Sequence, residues 1–395
     1  MLLTLAVSNY RSLLDLKMPL HRLNVITGPN GSGKSNLYKA LRLLSETAQG
    51  GVINAVAAEG GLNSTFWAGP ETLSAGMKKG RVKVEGTVKN KPQRLKLGFA
   101  GEDFGYCIEM GYPINPGEAA HYVPSAFSLD PEIKRESIWA GEFYKTSSCL
   151  IDRNGPVIKN RAGRGWDVIM QHVGGFESLF GCVADPSATP EVFTLKTTIN
   201  SWRFYDHFRT DSSSPARLPQ LGTRTTALHH DGRDLAAALQ TIIEIGDTEA
   251  LHNAVSDAFP GARVAIDVSE NGHFSVAFRQ EGLLRPLSGM ELSDGTLRYL
   301  LWVAALLTPR PPALMVLNEP ETSLHPDLLP ALGRLIVKAA ENTQLWVISH
   351  SQLLIKALKK SPECHLIELE KNLGETQIKG QKLLDQPPWY WPDAA

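Results

Sequence analysis

The sequence predicts an α/β fold with a parallel core sheet, an antiparallel β subdomain and a long inserted α/β lobe. Three observations lead there. Short apolar runs at 23–27, 314–317 and 345–348 read as strands buried on both faces. Segments with helical spacing follow them, and strands alternating with helices imply a parallel sheet. Alternating segments around turn residues, as at 81–99 and 263–279, read instead as antiparallel pairs.

Along the chain, residues 2–8 and 23–27 are the first expected strands, short and rich in branched apolar side chains. A glycine-rich interruption at 28–35 precedes a helix whose Leu37, Ala40, Leu41 and Leu44 share one face. Residues 81–88 and 93–99 form an expected hairpin turning near Asn90-Lys91-Pro92, whereas 113–230 is rich in Gly, Pro, Ser and Asn and gives little periodic signal. Asp231-Gly232 precedes a helix at 233–245, and Asn271-Gly272 turns a strand pair at 263–279. Ser293 caps a helix running to Leu307. After the strand at 314–317, Pro326 opens a helix carrying Leu328, Leu329, Leu332 and Ile336. The strand at 345–348 leads into a short helix through Leu358. We expect a nucleotide-binding lobe from 1–112 and 310–380, an inserted lobe over 113–309 and a tail at 381–395. No heptads occur, which excludes a long coiled-coil arm.

Composition narrows the class. Apolar residues make up 43% and charged residues 21%, as in an ordinary globular protein, and 40 basic against 41 acidic side chains leave a net charge of −1. Any nucleic-acid surface must therefore be local. Cys107, Cys149, Cys182 and Cys364 form no C-x-x-C pair, which argues against zinc and against a secreted disulfide scaffold and suits a reducing cytoplasm. The opening MLLTLAVSNYRS lacks the features of a signal peptide, and the apolar runs fall short of the roughly 18 residues a membrane span needs.

The segment Gly28-Pro29-Asn30-Gly31-Ser32-Gly33-Lys34-Ser35 matches G-x-x-x-x-G-K-[ST] between a strand and a helix. Successive backbone N–H groups and the helix N-terminus can cradle phosphates there, Asn36 following in the first turn. Lys34 would reach the β- and γ-phosphates of ATP and Ser35 would present its hydroxyl to Mg²⁺. The strand at 314–317 delivers Asn318-Glu319-Pro320 to the carboxyl edge of a parallel sheet, where ligands bind.

Taken together the motifs resemble the ABC-type P-loop ATPases, in the branch of the RecF, SMC and OLD-like heads. Leu292-Ser293-Asp294-Gly295-Thr296 is similar to the LSGG-type signature, and Ile348-Ser349-His350 to the strand carrying the switch histidine. Asn9-Tyr10-Arg11-Ser12 resembles the N-F-R-S segment of the RecF and SMC-like heads, and Glu319-Pro320-Glu321 with Ser323-Leu324-His325-Pro326 resembles their E-P-E-x-x-L-H-P motif. The interval from Gly28 to Ser293 is far longer than in transporter subunits. The resemblance implies Glu319 as general base and His350 as γ-phosphate sensor. It makes Arg11 a phosphate or ribose contact, and it implies that Ser293 and Gly295 cap the nucleotide of a twin subunit in an ATP-sandwiched homodimer. Asn318 departs from the usual aspartate, so Mg²⁺ should be held more weakly and turnover should be slow. No glutamine matches the Q-loop; Asn63 is a weak substitute.

Lys78, Lys79, Arg81, Lys83, Lys89, Lys91, Arg94 and Lys96 stand against Glu85 alone over 78–96. In the expected hairpin Arg81, Lys83, Arg94 and Lys96 share one face and Val82, Val84, Leu95 and Leu97 the other, which suits a duplex-DNA backbone or an edge strand guarded by lysines. The aromatic segment 202–209, which could stack on single strands, and the tail 387–392, which could dock a partner, are each expected instead to pack into the body. Two readings follow: an ATPase acting on double-stranded DNA in repair or genome defence, or a module that controls a separate effector protein without touching DNA.

Overall fold

The computed structural model describes residues 1–70, 75–78, 81–83, 92–113, 126–183 and 185–392. They form two compact units: Met1–Leu20, Gly28–Asn200 and Glu368–Ala395 in one, His21–Thr27 and Ser201–Ile367 in the other. The division differs from the expected lobes, because residues up to 200 fold with the N-terminal sheet.

Strands β1 (Leu2–Tyr10) and β2 (Leu13–Pro19) belong to the first unit, and β3 (Leu23–Thr27) to the second. The first unit continues with β4 (Leu95–Gly101), β5 (Phe104–Gly111), β6 (Glu132–Ala140), β7 (Cys149–Asn154), β8 (Val157–Ala162) and β9 (Gly165–Met170). These build one antiparallel sheet in the order β2-β1-β4-β5-β6-β7-β8-β9. Alternation sorts its faces: Leu95, Leu97 and Phe99 stand opposite Met110, Ile108 and Tyr106 on one side, all buried. The helix Lys34–Ala48 buries Leu37, Ala40, Leu41 and Leu44, as its spacing requires. On the opposite face Ala6, Ala100, Cys107 and Trp139 meet the chain's tail: the Trp389 ring centroid lies 5.6 Å from that of Trp139, and Trp391 meets Trp389 edge-on at 5.1 Å. The tail folds back, as expected. Within β6 and β7, Glu136 and Arg153 form an ion pair that is 0% exposed on both sides at 2.8 Å. Tyr106 and Ser178 hydroxyls also donate to Glu136, so neither charge is buried uncompensated.

The second unit holds β10 (Arg203–Tyr205), β11 (Gln220–Leu221), β12 (Arg263–Val268), β13 (His273–Arg279), β14 (Leu287–Ser288), β15 (Leu314–Asn318) and β16 (Gln344–Ile348). Its parallel sheet runs β10-β15-β16-β3. Burial of β15 and β16 on both faces explains why they read as unbroken apolar runs. The helices Leu235–Ile245, Asp294–Leu306 and Leu329–Ala339 contribute to one continuous core with them. Trp202, Tyr205 and Phe208 are buried, the last two against Trp302, so the aromatic segment packs inward as expected. The turn at Asn271-Gly272 joins β12 to β13 as expected. The chain re-enters the first unit along β17 (Cys364–Asn372), which pairs antiparallel with β18 (Glu375–Ile378).

The expected strand at 81–88 is not what its described residues do. Arg81 N donates to Gly76 O, which ties it to the short helix Ala75–Lys78 rather than to a ladder, and Val82 is 57% exposed instead of buried. Residues 84–91 lie outside the described residues.

Candidate functional site

β3 ends at Thr27, and the chain turns at Gly28 into the loop that the helix Lys34–Ala48 closes. Gly28 has φ 148° and Gly33 φ 107°, where a side chain would be strained. The space is also taken: a Cβ on Gly33 would fall 2.0 Å from the Thr376 hydroxyl, and one on Gly28 2.3 Å from Leu369 O. Ser32, Gly33 and Lys34 are buried while Pro29, Asn30, Gly31 and Ser35 are exposed. Lys34 Nζ donates to Gly28 O at 2.7 Å and to Pro29 O at 3.0 Å, so the ammonium lies inside the curl of the loop.

A brace that sequence reading missed holds the loop from behind. Asn36 Nδ2 donates to Ser12 Oγ at 2.8 Å, Ser12 shares a hydrogen bond with Thr376 Oγ1 at 2.7 Å, and Thr376 Oγ1 reaches Ser32 O at 2.9 Å. The N-Y-R-S segment thus earns its place through Ser12. Arg11 takes another course: its guanidinium pairs with Glu59 at 2.9 Å, and the Tyr10 hydroxyl donates to the same carboxylate at 2.6 Å. Burial, then Glu59, pushes the Tyr10 phenol well above its usual range.

In the second unit the carboxyl ends of three parallel strands fall in register, Ile26 beside Ile348 and Ile348 beside Asn318. Glu319 follows with φ 51°, a strained conformation for a non-glycine residue, fixed by its N–H donating to Ile348 O at 2.8 Å. Its carboxylate lies 3.3 Å from His350 Nε2, so the structure brings the two expected catalytic side chains together. Glu321, which the sequence offered only as part of a motif, organises the turn after β16. Its Oε1 accepts from Ser349 Oγ at 2.7 Å, His350 N at 2.8 Å and Ser351 N at 3.0 Å. Asn318 Nδ2 donates to Asp206 Oδ1 at 3.3 Å.

Ser293 caps the helix Asp294–Leu306: its Oγ accepts from Thr296 N at 3.1 Å, and Ser293 and Asp294 stay exposed while Leu292 is buried. Gly295 sits in the first turn of that helix. Arg217, which has no sequence signal, secures the segment by donating to Leu292 O at 2.6 Å, Gly289 O at 3.0 Å and Asp294 at 2.6 Å. Further along the helix Arg298 is 5% exposed, and burial lowers its pKa.

Of the candidate DNA contacts, Arg81 and Lys83 are exposed. Arg94 and Lys96 both pair with Glu109, at 3.0 and 3.4 Å, which neutralises part of the expected basic face. Lys79 and the side chain of Lys78 lie outside the described residues. No helix among the described residues is long and apolar enough to cross a membrane.

In the second unit an amide at a strand end (Asn318) and its carboxylate neighbour Asp206 are hard oxygen donors of the kind that suit Mg²⁺, and in the first unit so is the exposed hydroxyl of Ser35. The residues present therefore fit that ion.

Residues 23–145 and 180–356 match the family model described as "AAA domain, putative AbiEii toxin, Type IV TA system". No curated protein matches the chain. Solved structures do. An SMC head bound to the C-winged helix domain of ScpA aligns over 97% of this chain and 98% of that chain, at 12% identity and a TM-score of 0.51. The SMC head domain from Thermotoga maritima aligns over 97% and 99%, at 14% identity and a TM-score of 0.47. A Pyrococcus furiosus SMC head with an extended coiled coil, bound to the C-terminal domain of ScpA, covers 95% of each chain at 12% identity and a TM-score of 0.49. The first of these likenesses shows an SMC-head type of fold, in line with the expected P-loop ATPase head. With a family model spanning most of the chain, phosphate loop and acidic strand included, the protein belongs to this AAA-domain ATPase family.

Proposed function

We propose that the chain binds ATP with Mg²⁺, hydrolyses it slowly, and closes as a homodimer over two nucleotides. The observation that supports this most directly is the Glu319–His350 pair at 3.3 Å, held at the carboxyl edge of the parallel strands β15, β16 and β3. In this reading Gly28 to Ser35, with Asn36, wrap the phosphates, Lys34 neutralises the β- and γ-oxygens, and Arg11 would leave Glu59 to approach the phosphates or the ribose. Glu319 orients the attacking water, and His350 senses the γ-phosphate while fixing the Glu319 carboxylate. Mg²⁺, held through Ser35 and Asn318, would draw charge from the phosphate oxygens. The amide of Asn318 carries no charge of its own, so Asn318 by itself would hold Mg²⁺ weakly and slow turnover.

Exposure of Ser293 at a capped helix start supports its role as the anion site offered to a partner's γ-phosphate. Closure would then follow γ-phosphate binding, and hydrolysis would release it. Glu319→Gln with ATP should give a stable dimer by light scattering, and adding Ser293→Arg should abolish it. A Glu319→Gln protein that stays monomeric at saturating ATP defeats the proposal.

We read the work done by this engine as clamping of double-stranded DNA in the cytoplasm, in repair or genome defence, through Arg81, Lys83 and their neighbours. The alternative is ATP-dependent control of a separate effector protein. The ion pairs of Arg94 and Lys96 with Glu109 favour this second reading, as does the toxin–antitoxin description attached to the family.

A further inference from the structure

The strand end that carries Asn318 lacks the expected carboxylate, and the neighbouring strand provides one. β10 runs parallel to β15 with Tyr205 opposite Leu317, so Asp206 leaves the sheet edge beside Asn318. The Asn318 amide nitrogen donates to Asp206 Oδ1 at 3.3 Å, and both residues are half-buried. That bond commits the nitrogen to Asp206 and turns the amide oxygen to the other side, where it can accept from water.

An amide oxygen offers a divalent cation a dipole; a carboxylate one hydrogen bond away adds a full negative charge, whose attraction falls off only as the inverse of distance. Position on the sheet matters as much as charge. Tyr205 and Phe208, flanking Asp206, are buried in the core and fix where its backbone lies. A half-buried carboxylate at the carboxyl edge of a parallel sheet stands among the ligand-facing residues, not the packing ones.

We infer that Asp206 and Asn318 act as a split pair in place of one aspartate: Asp206 supplies the negative charge for the nucleotide-bound Mg²⁺, and Asn318 supplies the oxygen that its water shell hydrogen-bonds. This rests on the ATP and Mg²⁺ reading proposed above. Asp206 also positions Asn318, because without the carboxylate the amide loses the partner that sets its orientation.

The test reads metal affinity directly. Mn²⁺ replaces Mg²⁺ and is followed by the loss of its free aquo-ion signal in electron paramagnetic resonance, using the full chain with AMP-PNP. Asp206→Asn should weaken Mn²⁺ uptake by about 10- to 100-fold, while AMP-PNP binding in EDTA stays within about twofold of wild type. Adding Asn318→Asp to that variant should restore uptake, since the charge returns one strand over. In the wild-type background Asn318→Asp should gain less than about threefold, because a charge is already present; this arm does not depend on the folding of the Asp206 variant.

Wild-type Mn²⁺ affinity in a folded Asp206→Asn protein overturns the split pair, and so does a tenfold gain from Asn318→Asp alone. Failure of Asn318→Asp to rescue Asp206→Asn would make Asp206 a structural residue and overturns it as well. If the wild-type chain takes up no Mn²⁺ beyond that held by AMP-PNP in solution, the ATP reading itself has failed.

Discussion

Removing the Glu321 side chain tests whether the turn carrying His350 is held by this one carboxylate. Glu321 Oε1 accepts three hydrogen bonds, from Ser349 Oγ, His350 N and Ser351 N, while its Oε2 is buried without a hydrogen-bond partner. A hydrogen bond to a charged group contributes about 1.5–3 kcal/mol, and a buried polar atom left unpaired costs about 1–3 kcal/mol. Ser349 is 0% exposed, so its hydroxyl cannot turn to water, whereas His350 is exposed and its amide can recover part of its loss. Two bonds effectively lost, less the relief of the orphaned Oε2, give a net destabilisation of about 2–4 kcal/mol for Glu321→Ala. Glu321→Gln keeps a neutral acceptor oxygen and should lose about half as much. Urea unfolding followed by circular dichroism measures both. The same variants should order ATP turnover as wild type, then Gln, then Ala, since His350 drifts from Glu319 as its turn loosens. An alanine variant within about 0.5 kcal/mol of wild type, or a glutamine variant as damaged as alanine, would refute the reasoning.

Two further outcomes are expected. Burial, and then the neighbouring His21 ring at 4.3 Å, lowers the pKa of His365 below its ordinary 6.5. The unfolded chain therefore takes up this proton first, so stability is full above pH 6.5 and falls as pH drops from there to the depressed folded value. His365→Phe should flatten the melting temperature over that window, and an unchanged slope would exclude His365 as its source. For the DNA reading, filter binding at several salt concentrations should show ATP-dependent affinity whose log–log salt slope falls by about 2 when Arg81 and Lys83 are both neutralised. No affinity in either nucleotide state would leave the effector-control reading standing.

Much of the fold was legible because its signals are local. A glycine-rich loop between an apolar run and a helical spacing, Ser293 before a buried helix, and the turn at Asn271-Gly272 each declare themselves within about ten residues. The motifs also led to Glu319 and His350, which the structure brings to 3.3 Å. What stayed hidden depends on pairings across the chain. Ser12 and Thr376, braced against the phosphate loop, lie hundreds of residues apart, and nothing in either neighbourhood points to the other. Asp206 was lost in an aromatic segment read as packing, which Tyr205 and Phe208 are. β8 and β9 escaped because few of their residues are buried, and β6 and β7 because the charged pair Glu136 and Arg153 fills buried positions where a period-two pattern leads one to look for apolar side chains. At Arg81 to Lys83, the described part of the expected first strand of the basic hairpin, charge alternation was taken for a strand, whereas Val82 is 57% exposed.

The hydroxyl of Thr376 against Ser32 O carries a consequence for synthesis. A ribosome makes Ser32 344 residues before it makes Thr376, so a growing chain holds the loop motif long before it holds the brace. Until β18 docks, the carbonyl of Ser32 lacks the hydroxyl that Thr376 brings to it.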